Sequence, residues 1–254
     1  MRVTFLGTGT SQGVPPIGCK SPVCLSLNPK DKRLRTSVHI AIDDFHIVID
    51  SGPDFRQQML NIQAQKLDAI LFTHEHKDHT AGLDDIRPFN FMQKKDMQIY
   101  ATLNVQKALR KQFDYIFEEV NYPGLPKVNL NTIHKDEKFS VGGHEIIPIG
   151  VMHYHMPVLG FRIADFTYIT DANYIDDVEL LKIGGSKVLV LNALRNEPHI
   201  SHFTLSEAVD LAKKAGVAEV YFTHISHQLG FHDEVNYNLP AGMQLAYDGL
   251  MLDI

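Results

Sequence analysis

The sequence has few cysteines and no long hydrophobic run, and both absences restrict its class. Only Cys19 and Cys24 occur among 254 residues, which is too few for the disulfide framework of a small secreted domain. No apolar segment approaches the roughly 20 residues that a membrane span needs, and the first residues lack the apolar core of a signal peptide. We therefore expect a cytoplasmic protein with no membrane partner.

An excess of positive charge is also missing. The formal net charge is -6, so no overall basic field attracts a phosphate backbone, and nucleic acid is disfavoured as a partner. No low-complexity stretch and no long linker rich in Gly, Ser or Pro divides the chain. Because 254 residues with 44% hydrophobic content can bury one large core, we expect a single domain over residues 1–254.

Strand-like and helical patterns alternate along the chain. Helical periodicity occurs over 55–62, 105–118 and 205–215, and the last of these segments begins with Thr204 and Glu207 in capping-box spacing. The strand-like runs are "RVTFL", "TSVHIAI", "FHIVI", "DAILFT", "MQIYA", "HEIIPIG", "LGFRIA", "FTYIT", "KVLVLNA" and "EVYFT". This mixture predicts an α/β fold.

Two distant segments resemble each other. "DAILFTHEH" and "AEVYFTHISH" both run an apolar strand into Phe-Thr-His and then a second histidine. Two half-domains with matching strand ends would meet at a shared site, although two matches this short also arise by chance.

Titratable side chains are crowded into residues 74–79, directly after an apolar run. A strand that ends at Thr73 would let His74 and His76 point together, and the following turn would bring Asp78 and His79 towards them. Imidazole and carboxylate ligands suit zinc, manganese or iron. The helical zinc motif H-E-x-x-H does not fit, and a solvated charged loop is the alternative to a metal site.

The order His-Glu-His-Lys-Asp-His at 74–79 resembles the signature of metallo-β-lactamase-fold hydrolases, and the likeness extends over nearly the whole chain. The resemblance implies an αββα sandwich, with two mixed sheets face to face, helices outside, and two divalent metal ions, zinc or manganese, at one edge. It also implies the ligands: His74, His76 and His153 for one metal, Asp78, His79 and His224 for the other, and Asp171 as the bridge.

Two of these ligands have neighbours that could replace them. His153 lies beside His155, and strand alternation lets both face the same way. His224 competes with His227 and His232, although the match with His74 after Phe-Thr favours His224. We therefore choose His153 and His224.

The aspartates also have simpler interpretations. Asp171 ends the strand "FTYIT" and fits the bridging role. The simpler alternative is that Asp171 starts a turn and binds no metal. Asp50 ends "FHIVID", and we expect it to orient a ligand histidine. The alternative for Asp50 is a place at a helix start, where Ser51 and Asp54 already resemble a cap.

Hydrolysis of a phosphodiester is the chemistry that the resemblance favours. Iron-based reductases of this fold carry a glutamate at the position of His76, which disfavours a redox centre. Two metals roughly 3.5–4 Å apart can generate a hydroxide nucleophile at neutral pH and stabilise charge on a phosphoryl group. Asp78 is accordingly expected to be catalytic as well as a ligand.

The segment "PHISHFTLSEA" supplies a second functional signal. His202 precedes a capped helix, whose positive end also favours a phosphate. The segment resembles the H-x-T element of the phosphodiesterase branch, which implies that His202 protonates the leaving alkoxide and that Thr204 belongs to the same element. His199 is the local alternative, and Arg195 in the same loop is a candidate phosphate clamp.

The cysteine pair gives a third signal. The chain is most similar to the phosphoribosyl 1,2-cyclic phosphate phosphodiesterase group, in which an early C-x-C-x-x-C loop and a histidine hold a structural zinc. Here Cys19, Cys24 and His227 match, but Ser21 replaces the middle cysteine. A structural zinc normally has four protein ligands, so a loop packed by two small thiols is the favoured alternative to a third metal.

We therefore expect a binuclear metal-dependent phosphodiesterase that hydrolyses a small cyclic or simple phosphodiester, with His202 as general acid. A tRNA 3′-processing endonuclease is disfavoured because the sequence has no inserted basic, Gly-rich arm. The H-x-T segment disfavours a thioester hydrolase of the glyoxalase type, and the complete ligand set disfavours a non-catalytic metal-binding protein. The resemblance also implies a homodimer.

Overall fold

The computed structural model describes residues 1–118 and 124–254. These residues form two seven-stranded sheets. The strands in chain order are β1 (Arg2–Gly7), β2 (Ser37–Ile42), β3 (Phe45–Ile49), β4 (Ala69–Leu71), β5 (Met97–Ala101), β6 (Val128–Thr132), β7 (Phe139–Val141), β8 (His144–His153), β9 (Met156–Ile163), β10 (Phe166–Tyr168), β11 (Val188–Asn192), β12 (Glu219–Thr223), β13 (Met243–Leu245) and β14 (Met251–Asp253).

Both sheets are mixed. The first has the order β14-β1-β2-β3-β4-β5-β6, and the second has the order β13-β12-β11-β10-β9-β8-β7. Strands β3 to β6 are parallel to one another, as are β10 to β13. Parallel strands end at a common edge, so the loops after β4, β10 and β12 can supply side chains to one crevice.

Strand alternation divides the apolar side chains into layers. Val190 of β11 packs between the two sheets together with Phe5 and Phe161, whereas Leu189 and Leu191 point outwards to a separate apolar layer. Helices cover this outer face of the second sheet and the corresponding face of the first. The predicted αββα sandwich of two mixed sheets is therefore confirmed.

The helices are α1 (Pro22–Leu25), α2 (Phe55–Asn61), α3 (Lys77–Thr80), α4 (Arg87–Gln93), α5 (Leu103–Gln112), α6 (Asp114–Phe117), α7 (Asp177–Leu181), α8 (Leu205–Ala215) and α9 (His232–Tyr237). The single helix predicted over 105–118 is wrong. Thr102 caps α5 by accepting from the amide of Val105, so the helix begins earlier. It ends where Phe113 leaves the helical region at φ -127° and ψ 49° and buries its ring.

Helix α8 lies where the sequence places it. Thr204 accepts a hydrogen bond from the Glu207 amide, and the Glu207 carboxylate accepts one from the Thr204 amide. This capping box fixes the segment that leads from His202 into the helix. Among the described residues, no helix is long and apolar enough to cross a membrane.

Candidate metal centre

Most predicted ligands lie at or just after the end of a strand, and Asp78 and His79 lie in the short helix α3 after β4. His74 and His76 lie in the turn after β4, His153 is the last residue of β8, Asp171 comes three residues after β10, and His224 directly follows β12. Because the two sheets pack face to face, these strand ends converge at one edge of the sandwich. The two similar segments that end in Phe-Thr-His therefore approach the same site from opposite sheets.

One group of donors surrounds Asp78. Single donor atoms of Asp78, His79, Asp171 and His224 all lie within 4.8 Å of one another. Nε2 of His79 is 3.2 Å from Oδ2 of Asp78 and 3.3 Å from Oδ1 of Asp171. Nε2 of His224 is 3.2 Å from the same Oδ1 atom. The arrangement matches the ligand set implied for one of the metals.

The second group lies on the other side of Asp171. Oδ2 of Asp171 is 3.9 Å from Nε2 of His74, so the two carboxylate oxygens face the two groups separately. The ring centroid of His76 lies 4.8 Å from that of His74 and 5.2 Å from that of His153. One carboxylate placed between three histidines and the first group is the geometry that a bridging ligand needs.

Several buried ring nitrogens in this cluster have no hydrogen-bond partner among the described residues. They are Nε2 of His74, Nε2 of His79 and both nitrogens of His224. A buried polar atom without a partner costs roughly 1–3 kcal/mol, so several of them clustered near Asp171 call for a ligand. Nitrogen and carboxylate oxygen are donors that suit zinc or manganese, and the residues therefore fit a divalent metal centre.

Asp50 orients two of the histidines. Its Oδ2 atom accepts from the Thr73 hydroxyl at 2.8 Å and lies 2.7 Å from Nδ1 of His79. The Thr73 hydroxyl also lies 2.9 Å from Nδ1 of His74. Carboxylate contacts of this kind fix the ring orientation of a metal-binding histidine. Asp54 occupies the cap position of α2 without capping it and binds Arg35 instead.

The backbone is left-handed at three positions of the site. Asp50, Asp171 and His224 have φ values of 63°, 51° and 56°. A non-glycine residue in this region costs of order 1–3 kcal/mol and persists only where the surroundings enforce it. The sequence carries no signal for this strain.

His202 lies against the cluster. Its ring centroid is 4.6 Å from those of His153 and His224, and its side chain is 8% exposed. One donor atom each of His153, Asp171 and His202 lie within 4.8 Å of one another. Burial, reinforced by His224, lowers the pKa of His202 to about 2, and Asp171 opposes this shift.

The histidines that the sequence offers as alternatives lie outside the two donor groups. His155 is exposed beside Tyr154, at the open mouth of the cluster. His232 is buried against Arg33, with 3.0 Å between Nδ1 and Nη2. His199 is partly exposed, and its ring centroid is 5.1 Å from that of His202.

The guanidinium of Arg195, the predicted phosphate clamp, is engaged in three hydrogen bonds to nearby residues of the protein. Nε donates to the Glu197 carbonyl at 3.2 Å, Nη1 to Oε1 of Gln228 at 2.9 Å, and Nη2 to the Pro198 carbonyl at 3.0 Å. These bonds hold the loop that leads to His202. Thr204 is likewise engaged in the cap of α8.

The cysteine loop brings its three predicted donors together. Cys19, Cys24 and His227 each offer an atom within 4.8 Å of the others. The Ser21 hydroxyl lies 3.4 Å from Sγ of Cys19 and accepts from the Cys24 amide, so it caps α1 at the position of the missing cysteine. Three convergent donors are fewer than the four of an ordinary structural zinc site.

Comparison with known proteins identifies relatives of this chain. A model of the beta-lactamase superfamily domain matches residues 46–225. This chain is 40% identical in sequence to a diphosphatase from the PhnP family whose crystal structure is known. The two structures superpose with a TM-score of 0.93, and the match covers 100% of this chain and 97% of that one. The structure of zinc-bound PqqB from Methylobacterium extorquens shares the fold at 19% identity, with full coverage of both chains and a TM-score of 0.78.

Two further relatives are similar in sequence. A Porphyromonas gingivalis protein named octanoyltransferase is 38% identical over 252 residues, which are 98% of this chain but 51% of that protein. This chain therefore spans about half the length of that relative. A ribonuclease Z from Listeria monocytogenes is 26% identical, with 89% of each chain covered. With its two-sheet sandwich and histidine-rich edge, the chain belongs to the beta-lactamase superfamily and has the metallo-β-lactamase fold.

Proposed function

We propose that this protein is a metal-dependent phosphodiesterase acting on a small cyclic or simple phosphodiester. The observation that carries the proposal is the place of His202, which is buried against His153 and His224 and is held two residues before the capped helix α8. A hydrolase whose leaving group departs without a proton would need no general acid at this position.

The ligand set is proposed as two groups that share one carboxylate. Two zinc or manganese ions would supply a nucleophile at neutral pH and compensate charge on the phosphoryl group. The proposed ligands are His74, His76 and His153 for one ion, Asp78, His79 and His224 for the other, and Asp171 between them.

The protein's own groups have distinct tasks in this proposal. Burial opposes ionisation of Asp78, but His79 at 3.2 Å holds the pKa of that carboxyl well below its ordinary range, so Asp78 is anionic. His202 donates a proton to the leaving oxygen. The negative charge of a bound phosphodiester would raise the pKa of His202, which burial lowers in the free protein.

The mouth of the cluster supports a small substrate. An open cavity of about 520 Å³ lies over His76 and His153 and is bordered by Tyr154, His155 and Ile200. This space accommodates the substituents of one phosphodiester. The net charge of -6 offers no field for a polynucleotide. The homodimer, the small-molecule partner and the cytoplasmic location remain predictions.

A phosphoanhydride is the second candidate substrate. The chain is 40% identical to a diphosphatase from the PhnP family. Attack on a diphosphate would use the same cluster, but its leaving phosphate is a weaker base than an alkoxide and needs a proton less. Dependence on His202 therefore separates the two candidates.

Hydrolysis of bis(p-nitrophenyl) phosphate with added manganese or zinc tests the proposal. We expect metal-dependent release of p-nitrophenolate that chelation abolishes and that His144→Ala, remote from the cluster, retains. The same preparations should then be compared on a cyclic ribose phosphate, a diphosphate and a thioester. Absence of phosphodiester hydrolysis with every metal would overturn the proposal and favour a non-catalytic metal-binding protein.

A further inference from the structure

A second cavity, which we call the side cavity, lies beside the metal centre. Its volume is about 310 Å³. Its walls come from the ends of β4, β5 and β6 in the first sheet, from the hairpin of β8 and β9 in the second, and from the start of α7. Crevices at the carboxyl ends of strands are common ligand sites, and this volume lies at the lower end of the usual range of about 300–1,000 Å³.

The side cavity is separated from the mouth of the metal centre by two protein segments. Met152 and His153 are successive residues of β8 but border different cavities. His153 faces the metal cluster, and Met152 lines the side cavity. Glu75 likewise lines the side cavity, although it lies between His74 and His76. A molecule in the side cavity would therefore contact the backs of two metal-binding segments.

The interior of the side cavity is apolar. Ile133, Val151, Val158 and Leu159 line it and are each at most 5% exposed. The ring of Tyr174, which is 55% exposed, also lines it. Such walls favour a ligand with an apolar body, because a polar group buried there would lose its water without gaining a partner.

Two carboxylates in the wall, Glu75 and Asp176, have no cationic partner among the described residues. Glu179 forms an ion pair with Lys182 at 2.8 Å, and Asp176 accepts from the Glu179 amide at 2.9 Å. Glu75 is half-buried, and its carboxylate makes no hydrogen bond or ion pair with any residue in the described part of the chain. The unpaired charge of the wall side chains is therefore negative and is located at the half-buried Glu75 and the exposed Asp176.

The lysine in the wall does not neutralise Glu75. Nζ of Lys135 lies 3.8 Å from Asp136, and its side chain is 55% exposed. Its aliphatic part runs along the wall near Gly150. We propose that the side cavity binds a small organic cation, in which an apolar body fills the interior and a single ammonium group pairs with Glu75. This proposal does not depend on the reaction proposed for the metal centre.

Isothermal titration calorimetry of the metal-loaded protein at pH 7 tests the proposal with three matched probes. Phenethylamine carries the apolar body with a cation, 2-phenylethanol carries it without charge, and 3-phenylpropanoate carries it with an anion. We expect phenethylamine to bind at least about tenfold more tightly than either of the others, since a partly desolvated ion pair is available only to the amine.

Variants locate the binding site. Glu75→Gln keeps the shape of the side chain and should weaken phenethylamine about tenfold while leaving 2-phenylethanol unchanged. Asn104→Trp, at an exposed lining position, should fill the opening and abolish binding of both probes. Glu145→Gln removes an exposed carboxylate elsewhere and should change nothing.

Three results would overturn the proposal. The first is no binding of phenethylamine to the native protein, and the second is equal affinity for all three probes. The third is loss of binding in Ile200→Trp, which narrows the mouth of the metal centre and leaves the side cavity open. If Glu75→Gln fails to fold, retention of binding by Asn104→Trp still refutes the site.

Discussion

Nδ1 of His79 lies 2.7 Å from Oδ2 of Asp50, and both side chains are completely buried. Burial opposes a charge on His79, but Asp171 and Asp50 together hold the pKa of the imidazole well above its ordinary value. Because Nδ1 is engaged with Asp50, Nε2 is the nitrogen that faces Asp78 and Asp171. Asp50 therefore decides which nitrogen of His79 would bind a metal, once the metal displaces the proton from Nε2.

Asp50→Asn should weaken metal binding by about 10–100-fold, the usual effect of removing a carboxylate that orients a ligand histidine. The amide cannot accept from Thr73 and His79 as the carboxylate does. Metal affinity measured by competition with a chelator checks this expectation. Asp54→Asn is the matched control because Asp54 contacts Arg35 instead of a ligand histidine. Equal affinities in the two variants would contradict the orienting role.

Gly52→Ala should destabilise the protein by about 1–3 kcal/mol, the usual cost of overpacking. A Cβ atom at Gly52 would lie 2.0 Å from the carbonyl oxygen of Asp78, which would push the turn that carries Asp78 and His79. The melting temperature and the metal content of the same samples should both be lower than in the native protein. Gly184→Ala, whose Cβ would meet its nearest atom at 3.1 Å, is the milder control. Unchanged metal content in Gly52→Ala would show that the turn adapts.

His202→Ala should lower turnover of alkyl or ribosyl cyclic phosphates by about 10²–10⁴-fold while bound metal is retained. A p-nitrophenolate leaves readily without a proton, so the loss on an activated aryl phosphodiester should be much smaller. Steady-state kinetics on both substrates gives the contrast, and His199→Ala should behave as the native protein does. An equal loss on both substrates would mean that His202 positions the phosphate or the fold.

Cys19→Ser should leave the catalytic metals, the activity and the thermal stability nearly unchanged. The reason is that Ser21 supplies a helix cap where a fourth zinc ligand would be needed. Elemental analysis and a thermal melt of the native protein and the variant check this. Loss of a tightly bound zinc together with a lower melting temperature would establish a structural site formed by Cys19, Cys24 and His227.

The sequence predicts the sandwich because its apolar residues keep the periods of strands and helices. The αββα class and the capping box of α8 follow from those local patterns. The helix predicted over 105–118 failed at Phe113, whose burial breaks the helix and leaves no local signal. Tertiary packing decided that position against local propensity.

The residues of the candidate site were also only partly predictable. The motif at 74–79 indicates ligands through residue type and spacing, but His153 and His155 cannot be separated by alternation alone. The hairpin separates them, because β8 ends at His153 and the turn leaves His155 exposed. The left-handed backbone at Asp171 and the side cavity depend on contacts between distant segments, which one sequence does not encode in any local pattern.

The central claim is a metal-dependent hydrolase assembled around Asp171, and the most direct test is the metal content and turnover of Asp171→Ala. Oδ1 of Asp171 lies 3.2 Å from Nε2 of His224, and Oδ2 lies 3.9 Å from Nε2 of His74, so the variant removes a carboxylate from both groups. We predict that bound metal per chain falls below that of the native protein and that phosphodiesterase activity is abolished, because two cations lose their shared charge compensation. Native metal stoichiometry with near-normal turnover would contradict the account.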